Sequence, residues 1–246
     1  MIRSLRGLTL IGIATFILGL LVLFPARAAV QFFVPDGVVV ATPEGTVWSG
    51  SASAVVINDI AVTDVEWSLH LLSLFKGRLA ASVSGTPPSG FVEADVSASM
   101  GGSVLVSNLT ASLPLSNFAA VLGVDGLAGQ GNARFERLEI VDGIATSAVG
   151  QLDINDLVVP LMGRQSLGGY RAEFFTQNDG ILASIEDTDG VIDLAGSLQL
   201  KSDRSFEFLA QVIAKPNTPE AVRRQLRFLP PPNERGQQEL RLAGIF

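Results

Sequence analysis

The chain of 246 residues has no cysteine, one histidine (His70) and three lysines (Lys76, Lys201, Lys215). Without cysteine there is no disulfide, no thiolate metal site and no cysteine nucleophile. Stability must come from burial and hydrogen bonding alone. A lone histidine has no second histidine or thiolate to join it at a metal ion. Charged residues make up only 17% of the chain and the net charge is −7. That balance argues against nucleic acid, because phosphate binding needs clustered Lys and Arg. From Lys201 onward there are eight basic and five acidic residues, so that segment carries +3 and the remainder −10. So mild an asymmetry reads as a solvated face.

What the chain does have is one long apolar run near its start, Leu8 to Phe24 (LTLIGIATFILGLLVLF). It contains no charge and no proline. A helix rising 1.5 Å per residue over this length just reaches across a hydrocarbon core of ~30 Å. Arg3 and Arg6 precede the run, Arg27 follows it, and acids begin only at Asp36. The positive flank stays in the cytoplasm and the bulk of the chain is exported. The rival reading is a cleaved signal peptide, with Ala26-Arg27-Ala28 as its small-x-small site. Against cleavage, the run exceeds the usual apolar core of about 7–15 residues, and Pro25 and Arg27 crowd the site. An uncleaved signal anchor is the reading adopted. Gly12, Thr15 and Gly19 fall on one helical face, which would let a second helix approach closely. Glycine is common in membrane helices in any case.

Beyond the run the period changes to two. In 103–115 the odd positions Leu105, Leu109, Ala111, Leu113 and Leu115 are apolar, with Asn108, Thr110 and Ser112 between them. In 191–200 one face holds Ile192, Leu194, Leu198 and Leu200, and in 239–246 Leu240, Leu242 and Phe246 line one side. Such alternation marks strands with one wet face. Turn signals recur at short intervals: Gly77, Gly85–Ser89, Gly101-Gly102, Asp125-Gly126, Asp142-Gly143, Asn178–Gly180 and Asp187–Gly190. Asp-Gly between alternating runs marks a hairpin. Two short helices are expected, one over 116–122 capped by Ser116, and one over 218–228 capped by Thr218 with Pro219 in its first turn. Pro25, Pro35 and Pro43 block any long helix in 25–45. The fold class is mainly β: an extended, twisted antiparallel sheet or sandwich of about a dozen strands with one or two short helices, preceded by a single N-terminal transmembrane helix. The division is 1–7 cytoplasmic start, 8–24 transmembrane signal anchor, 25–45 connector and 46–246 β domain on the exported side.

The chain offers little chemistry. Trp67, Leu69 and Leu71 share one face of a strand and leave Glu66, Ser68 and His70 on the wet side, so His70 reads as solvated. Asp187-Thr-Asp-Gly190 resembles the opening of a calcium loop but lacks the later ligands, and a hairpin turn accounts for it. Gly126–Gly131 is glycine-rich, does not match GxGxxG and leads into a strand, so it forms no phosphate cradle. Asp153, Asn155 and Asp156 are neighbours with nothing to raise a carboxylate pKa. Asn108-Leu-Thr110 fits a glycosylation acceptor, a triplet frequent by chance. No GxSxG motif occurs. The expectation is no catalytic residue, no cofactor and no metal, hence no enzyme.

The richest local text is Glu44-Gly-Thr-Val-Trp-Ser-Gly-Ser-Ala52, followed by Val65-Glu-Trp-Ser-Leu69 and Ser73-Leu-Phe-Lys-Gly-Arg-Leu79. Further on come Leu167-Gly-Gly-Tyr-Arg-Ala172, Asp189–Leu200, Leu226–Gly236 and Leu240–Gly244. In order and spacing these resemble the protein N family of the type II secretion system (general secretion pathway protein N), over nearly the whole chain. The departures are His70-Leu71 where the family pattern has proline, and Pro230-Pro231 where it has Gly-Pro. The resemblance implies a single-pass component of the bacterial inner membrane, N-terminus cytoplasmic and bulk periplasmic. Its partners would be other inner-membrane secretion components, which it would scaffold or assemble for export of folded proteins across the outer membrane. The family supplies no catalytic residues to carry over. Trp48 and Trp67 read as large rings packed in the core, each able to bury much of about 200 Å², with docking to a partner as the other reading. The segment from Trp67 to Val83 also resembles the N-terminal region of AsmA-like envelope proteins, which implies lipid handling as the alternative. An open apolar trough would favour lipid, and a face filled by Trp48, Trp67 and Phe135 would be a core. A periplasmic hydrolase is the third reading, and loss of activity on substituting His70 is its minimum support.

Overall fold

A computed structural model of the chain describes residues 11–245 apart from 14, 18, 35–36, 58–59, 75–76, 100 and 179. Backbone contacts divide it into two compact units, Met1–Pro88 and Ser89–Phe246. Fourteen strands occur among the described residues, all paired antiparallel where a register is resolved, with a few short helices.

In the first unit, residues 11–13, 15–17 and 19–22 are helical. Pro25, extended at φ −71° and ψ 139°, then separates them from helix α1, Ala26–Phe33. A proline has no N–H to continue a helix and pushes the residue before it towards extended backbone. The strands are β1 Val38–Ala41, β2 Glu44–Gly45, β3 Ser49–Ile57, β4 Ile60–Leu69 and β5 Arg78–Thr86, with one helical turn, α2 Leu71–Leu74, before β5. Their order is β1-β3-β4-β5, with β2 also on β3. The segment 25–45 therefore carries a helix and two strands.

Among the described residues no helix is long and apolar enough to cross a membrane. Residues 1–10, 14 and 18, which belong to the expected start and anchor, lie outside the described residues. So do Asp36, Lys76 and Phe246.

The second unit is a meander. Strands β6 Phe91–Ser99, β7 Ser103–Pro114, β8 Ala128–Val141, β9 Ile144–Val158, β10 Tyr170–Gln177, β11 Gly180–Asp187, β12 Ile192–Lys201, β13 Ser205–Ala214 and β14 Gln238–Ile245 lie side by side in chain order. The alternation of the sequence becomes alternation across the sheet. Leu109, Phe135, Gly150, Phe174, Ala183, Leu198, Phe208 and Leu242 stand opposite one another in a single cross-strand row. The adjoining row is polar from Thr110 through Arg134, Gln151, Glu173 and Ser184 to Ser197. Successive side chains point to opposite faces, so one face is apolar and the other wet. Gly150 leaves a gap in the apolar row, and a Cβ there would meet Phe135 Cδ1 at 2.8 Å. The rings of Phe135 and Phe174 close across the gap with centroids 5.2 Å apart. Asp142-Gly143 forms the two-residue turn between β8 and β9, at φ 51° and 78°, as the hairpin signal requires.

Both expected helices of this unit exist, but neither expected cap does. Leu115–Phe118 is a 3-10 turn running into α3, Ala119–Leu122, and no side chain caps either. The second helix, α4, spans Glu220–Leu226, with Pro219 in the capping position. Thr218 is turned away, and its hydroxyl donates to the Val191 carbonyl. It is 5% exposed. A buried hydroxyl must find a partner, and the loop carbonyl supplies one where the helix end does not. Below α4, Val222 packs with Leu167 and Tyr170, the central cluster of this unit's core.

Candidate functional site

The motif Glu44–Gly50 builds a clasp. Gly45 sits at φ +81°, and a Cβ there would meet the Ser49 carbonyl at 2.7 Å. This tight turn requires glycine. Thr46 N–H donates to the Ser49 carbonyl at 2.9 Å, closing the turn. The turn points Trp48 back along the chain, so that its indole Nε1–H donates to the Leu21 carbonyl at 2.8 Å. Val47 N–H donates to the Phe24 carbonyl at 3.0 Å, and Arg27 Nε donates to the Pro43 carbonyl at 3.0 Å. The C-terminal end of the apolar helical stretch is thus tied to the sheet by side chain and backbone together. Helix ends leave their last carbonyls without intrahelical partners, and Trp48 satisfies one of them.

Trp67 completes the clasp from β4. Its Nε1–H donates to the Val47 carbonyl at 3.1 Å. The ring lies over Gly50, where a Cβ would fall 2.6 Å from Cζ2 of the indole and against the Glu44 carbonyl. Both motif glycines are therefore fixed by sterics. With its polar tip satisfied, the Trp67 ring faces an apolar cavity of about 280 Å³. Ala26, Ala29 and Val30 of α1 line one side, and Val38, Val40 and Val55 of the sheet line the other. Ala26, Ala29 and Val30 recur at helical spacing, which gives α1 one apolar stripe.

The second unit has a polar hub where the Leu167–Ala172 and Asp187–Gly190 motifs meet. Gly168, at φ +90°, and Gly169 leave no room for a Cβ against Asp189. Gly169 N–H donates to the Asp189 carboxylate. Tyr170 Oη donates to the Leu167 carbonyl at 3.1 Å. Burial, then the charges of Asp187 and Asp189, push the Tyr170 phenol up to about 12. Asp187 is paired with Lys215 and also accepts from Leu194 N–H at 2.9 Å. Burial alone would raise its pKa; the Lys215 and Leu194 hydrogen bonds outweigh it and hold the carboxyl below the usual range. Lys215 donates on to the Gly190 carbonyl at 3.0 Å. The acids that resembled a calcium loop are engaged inside a turn.

The remaining sequence candidates are dispersed. His70 is exposed at the end of β4, with Nε2 3.2 Å from Ser82 Oγ. Asp153 accepts from Arg171 Nε at 2.7 Å and from Gln151 at 2.8 Å. Asp156, at φ 51°, lies at an irregularity of the β8–β9 pairing opposite Gly129. Asn108 donates to Asp95 at 2.9 Å. Gly129 and Gly131 of the glycine-rich stretch lie within β8. Among the described residues no three His, Cys, Asp or Glu side chains are grouped to hold a metal ion. The Arg171–Asp153 pair lines a polar hollow of about 420 Å³ on the wet face, with Arg134, Asn132 and Asn155. Three groups escaped the sequence reading: Arg27 as a contact to the β1–β2 loop, Lys215 as partner of Asp187, and the valine cavity. Only Arg27 carried a signal, as the one Lys or Arg between residues 7 and 75.

Fold and sites together define an antiparallel β protein whose motif residues hold backbone in place. The family model for type II secretion system (T2SS) protein N matches residues 36–241, and the chain belongs to that family. It is similar to the type II secretion system protein N of Vibrio cholerae serotype O1, at 24% identity over 231 residues, covering 89% of this chain and 90% of that protein. No solved structure matches. The family is one of secretion components, and its matched span includes both motif tryptophans and the Tyr170 hub.

Proposed function

We propose that this chain is a non-enzymatic, single-pass inner-membrane component of the type II secretion apparatus. Residues 1–7 lie in the cytoplasm, residues 8–24 span the membrane as an uncleaved anchor, and the chain from residue 25 onward lies in the periplasm. There it scaffolds or assembles other inner-membrane secretion components for export of folded proteins across the outer membrane. The observation that carries this reading is the clasp. Trp48 and Val47 hold the end of the apolar stretch at Leu21 and Phe24, so a membrane segment and a sheet are joined without a slack linker. The family assignment supplies the secretion context. Among the described residues the last strand, β14, pairs only with β13, and it exposes Leu242 and Ile245 at 53% and 82%. Such an edge accepts a strand from a partner.

In-cell photocrosslinking from Leu242 and from Phe228 tests the reading. Capture of inner-membrane secretion components is expected. Capture of phospholipid alone moves the reading to its alternative, an AsmA-like protein that shelters lipid. One observation favours that alternative, the apolar cavity under α1.

A further inference from the structure

We infer that the cavity between α1 and strands β1, β3 and β4 is a binding site for one membrane phospholipid, with an acyl chain in the cavity and the phosphate on Arg27. The inference rests on residues 8–24 lying in the bilayer.

Three observations choose this occupant. First, the wall is wholly apolar, formed by alanines, valines and the ring of Trp67, whose one polar atom is already bonded to Val47. The hollow is open on one side and about 280 Å³ in volume, enough to admit a segment of hydrocarbon chain. Second, the cavity sits where a lipid chain can reach it. Ala26, in its wall, is five residues from Leu21, whose carbonyl marks the end of the apolar helical stretch. Third, a positive charge lies on the same helix, next in sequence to a residue of the wall. Arg27 follows Ala26, is exposed, and is the one Lys or Arg between residues 7 and 75. Its Nε is engaged by Pro43, and among the described residues its two Nη nitrogens meet no acceptor. A guanidinium held by one edge presents its other nitrogens as a fork, the geometry that suits a phosphate. A second protein's apolar segment would fill the cavity without engaging the Arg27 guanidinium.

Trp67 provides the readout. The full-length chain is reconstituted in phosphatidylcholine vesicles and titrated with phosphatidylglycerol brominated along its acyl chains, while indole fluorescence is followed. The Trp67 contribution is the quenching that Trp67→Phe removes, since Trp48 is the only other tryptophan. Saturable quenching of Trp67 is expected. Ala29→Phe, which fills the cavity from α1, and Val40→Phe, which fills it from β1, should each abolish saturation, with circular dichroism confirming the fold of whichever is used. Arg27→Gln should raise the half-saturating lipid about tenfold, the worth of one hydrogen bond to a charged group. Inorganic phosphate should not compete at concentrations matching the lipid. Quenching that is linear in lipid and indifferent to both filling variants would mean the ring sees the bilayer at large, and would overturn the site. So would no quenching at all. A chain that captures secretion components yet shows no saturable quenching keeps its proposed function and loses this site. A chain that does the opposite keeps the site.

Discussion

The Lys215–Asp187 pair gives the second unit a pH-dependent part of its stability. The Asp187 side chain is 10% exposed and that of Lys215 is 32% exposed. In the wild type the Asp187 carboxyl is held below its ordinary range. A depressed carboxyl contributes stability that is fully present above the unfolded value near 4 and is lost as pH falls through the folded value. Lys215→Met removes the ammonium. Asp187 then keeps the Leu194 N–H and its burial, while its counter-charge is gone. Breaking a buried pair by removing one partner costs roughly 3–5 kcal/mol, and the partial exposure of Lys215 places this case at the lower end. Burial is then opposed by the Leu194 and Asp193 hydrogen bonds alone, so the carboxyl titrates higher than in the wild type, and the wild type's advantage narrows as pH falls towards that titration. The assay is urea unfolding of the full chain in detergent, followed by far-ultraviolet circular dichroism at several pH values. The gap between wild type and variant should be about 3 kcal/mol at pH 7 and shrink steadily on acidification. Asp187→Asn/Lys215→Met, which has no titrating group at these two positions, should lack the Asp187-linked pH dependence seen in the single variant. A Lys215→Met gap that is absent at pH 7, or constant down to pH 4, would refute the reasoning.

Three further outcomes follow from the same geometry. Gly50→Ala should lose about 1–3 kcal/mol, as overpacked sites do, because its Cβ meets both the Trp67 ring and the Glu44 carbonyl; thermal unfolding read by tryptophan fluorescence checks this. The single tyrosine should ionise in the folded protein near pH 12 rather than 10, read by tyrosinate absorbance. The native state holds that proton more tightly, so stability should fall as pH rises from 10 through 12, and Tyr170→Phe should remove this slope. Trp48→Phe should cost about 1 kcal/mol for the lost hydrogen bond and speed hydrogen exchange at residues 19–24, where the helical stretch loses its clasp.

Much of the sheet was legible in the sequence because strand periodicity is local. The alternation in 103–115 and 191–200 appears as β7 and β12, and Asp142-Gly143 appears as a tight hairpin turn. The number of strands came out close for the same reason. The capping residues were misread because Ser116 and Thr218 have the right chemistry, and only tertiary contact decides whether a hydroxyl turns to its own helix. Thr218 turns to Val191, 27 positions away. Helix α1 was hidden because eight residues between Pro25 and Pro35 give too short a window for periodicity to stand out, and its apolar stripe is defined by the valines it covers. The tryptophans were read as core rings. Both are only half-buried and neither belongs to the core; the deciding atoms are the two indole N–H groups, whose acceptors at Leu21 and Val47 lie 27 and 20 residues away. The candidate acids lie in separate turns and strand pairs, and nothing in the spacing of Asp187 named Lys215 as its partner.

The proposed role depends first on which side of the membrane the sheet resides. A phosphatase that matures only outside the cytoplasm, fused behind Phe246 of the full chain and expressed in the native host, gives the most direct answer. The prediction is an active, membrane-associated fusion that remains uncleaved at Ala28. Phosphatase silence, together with fluorescence from a cytosol-dependent reporter at the same position, would contradict it.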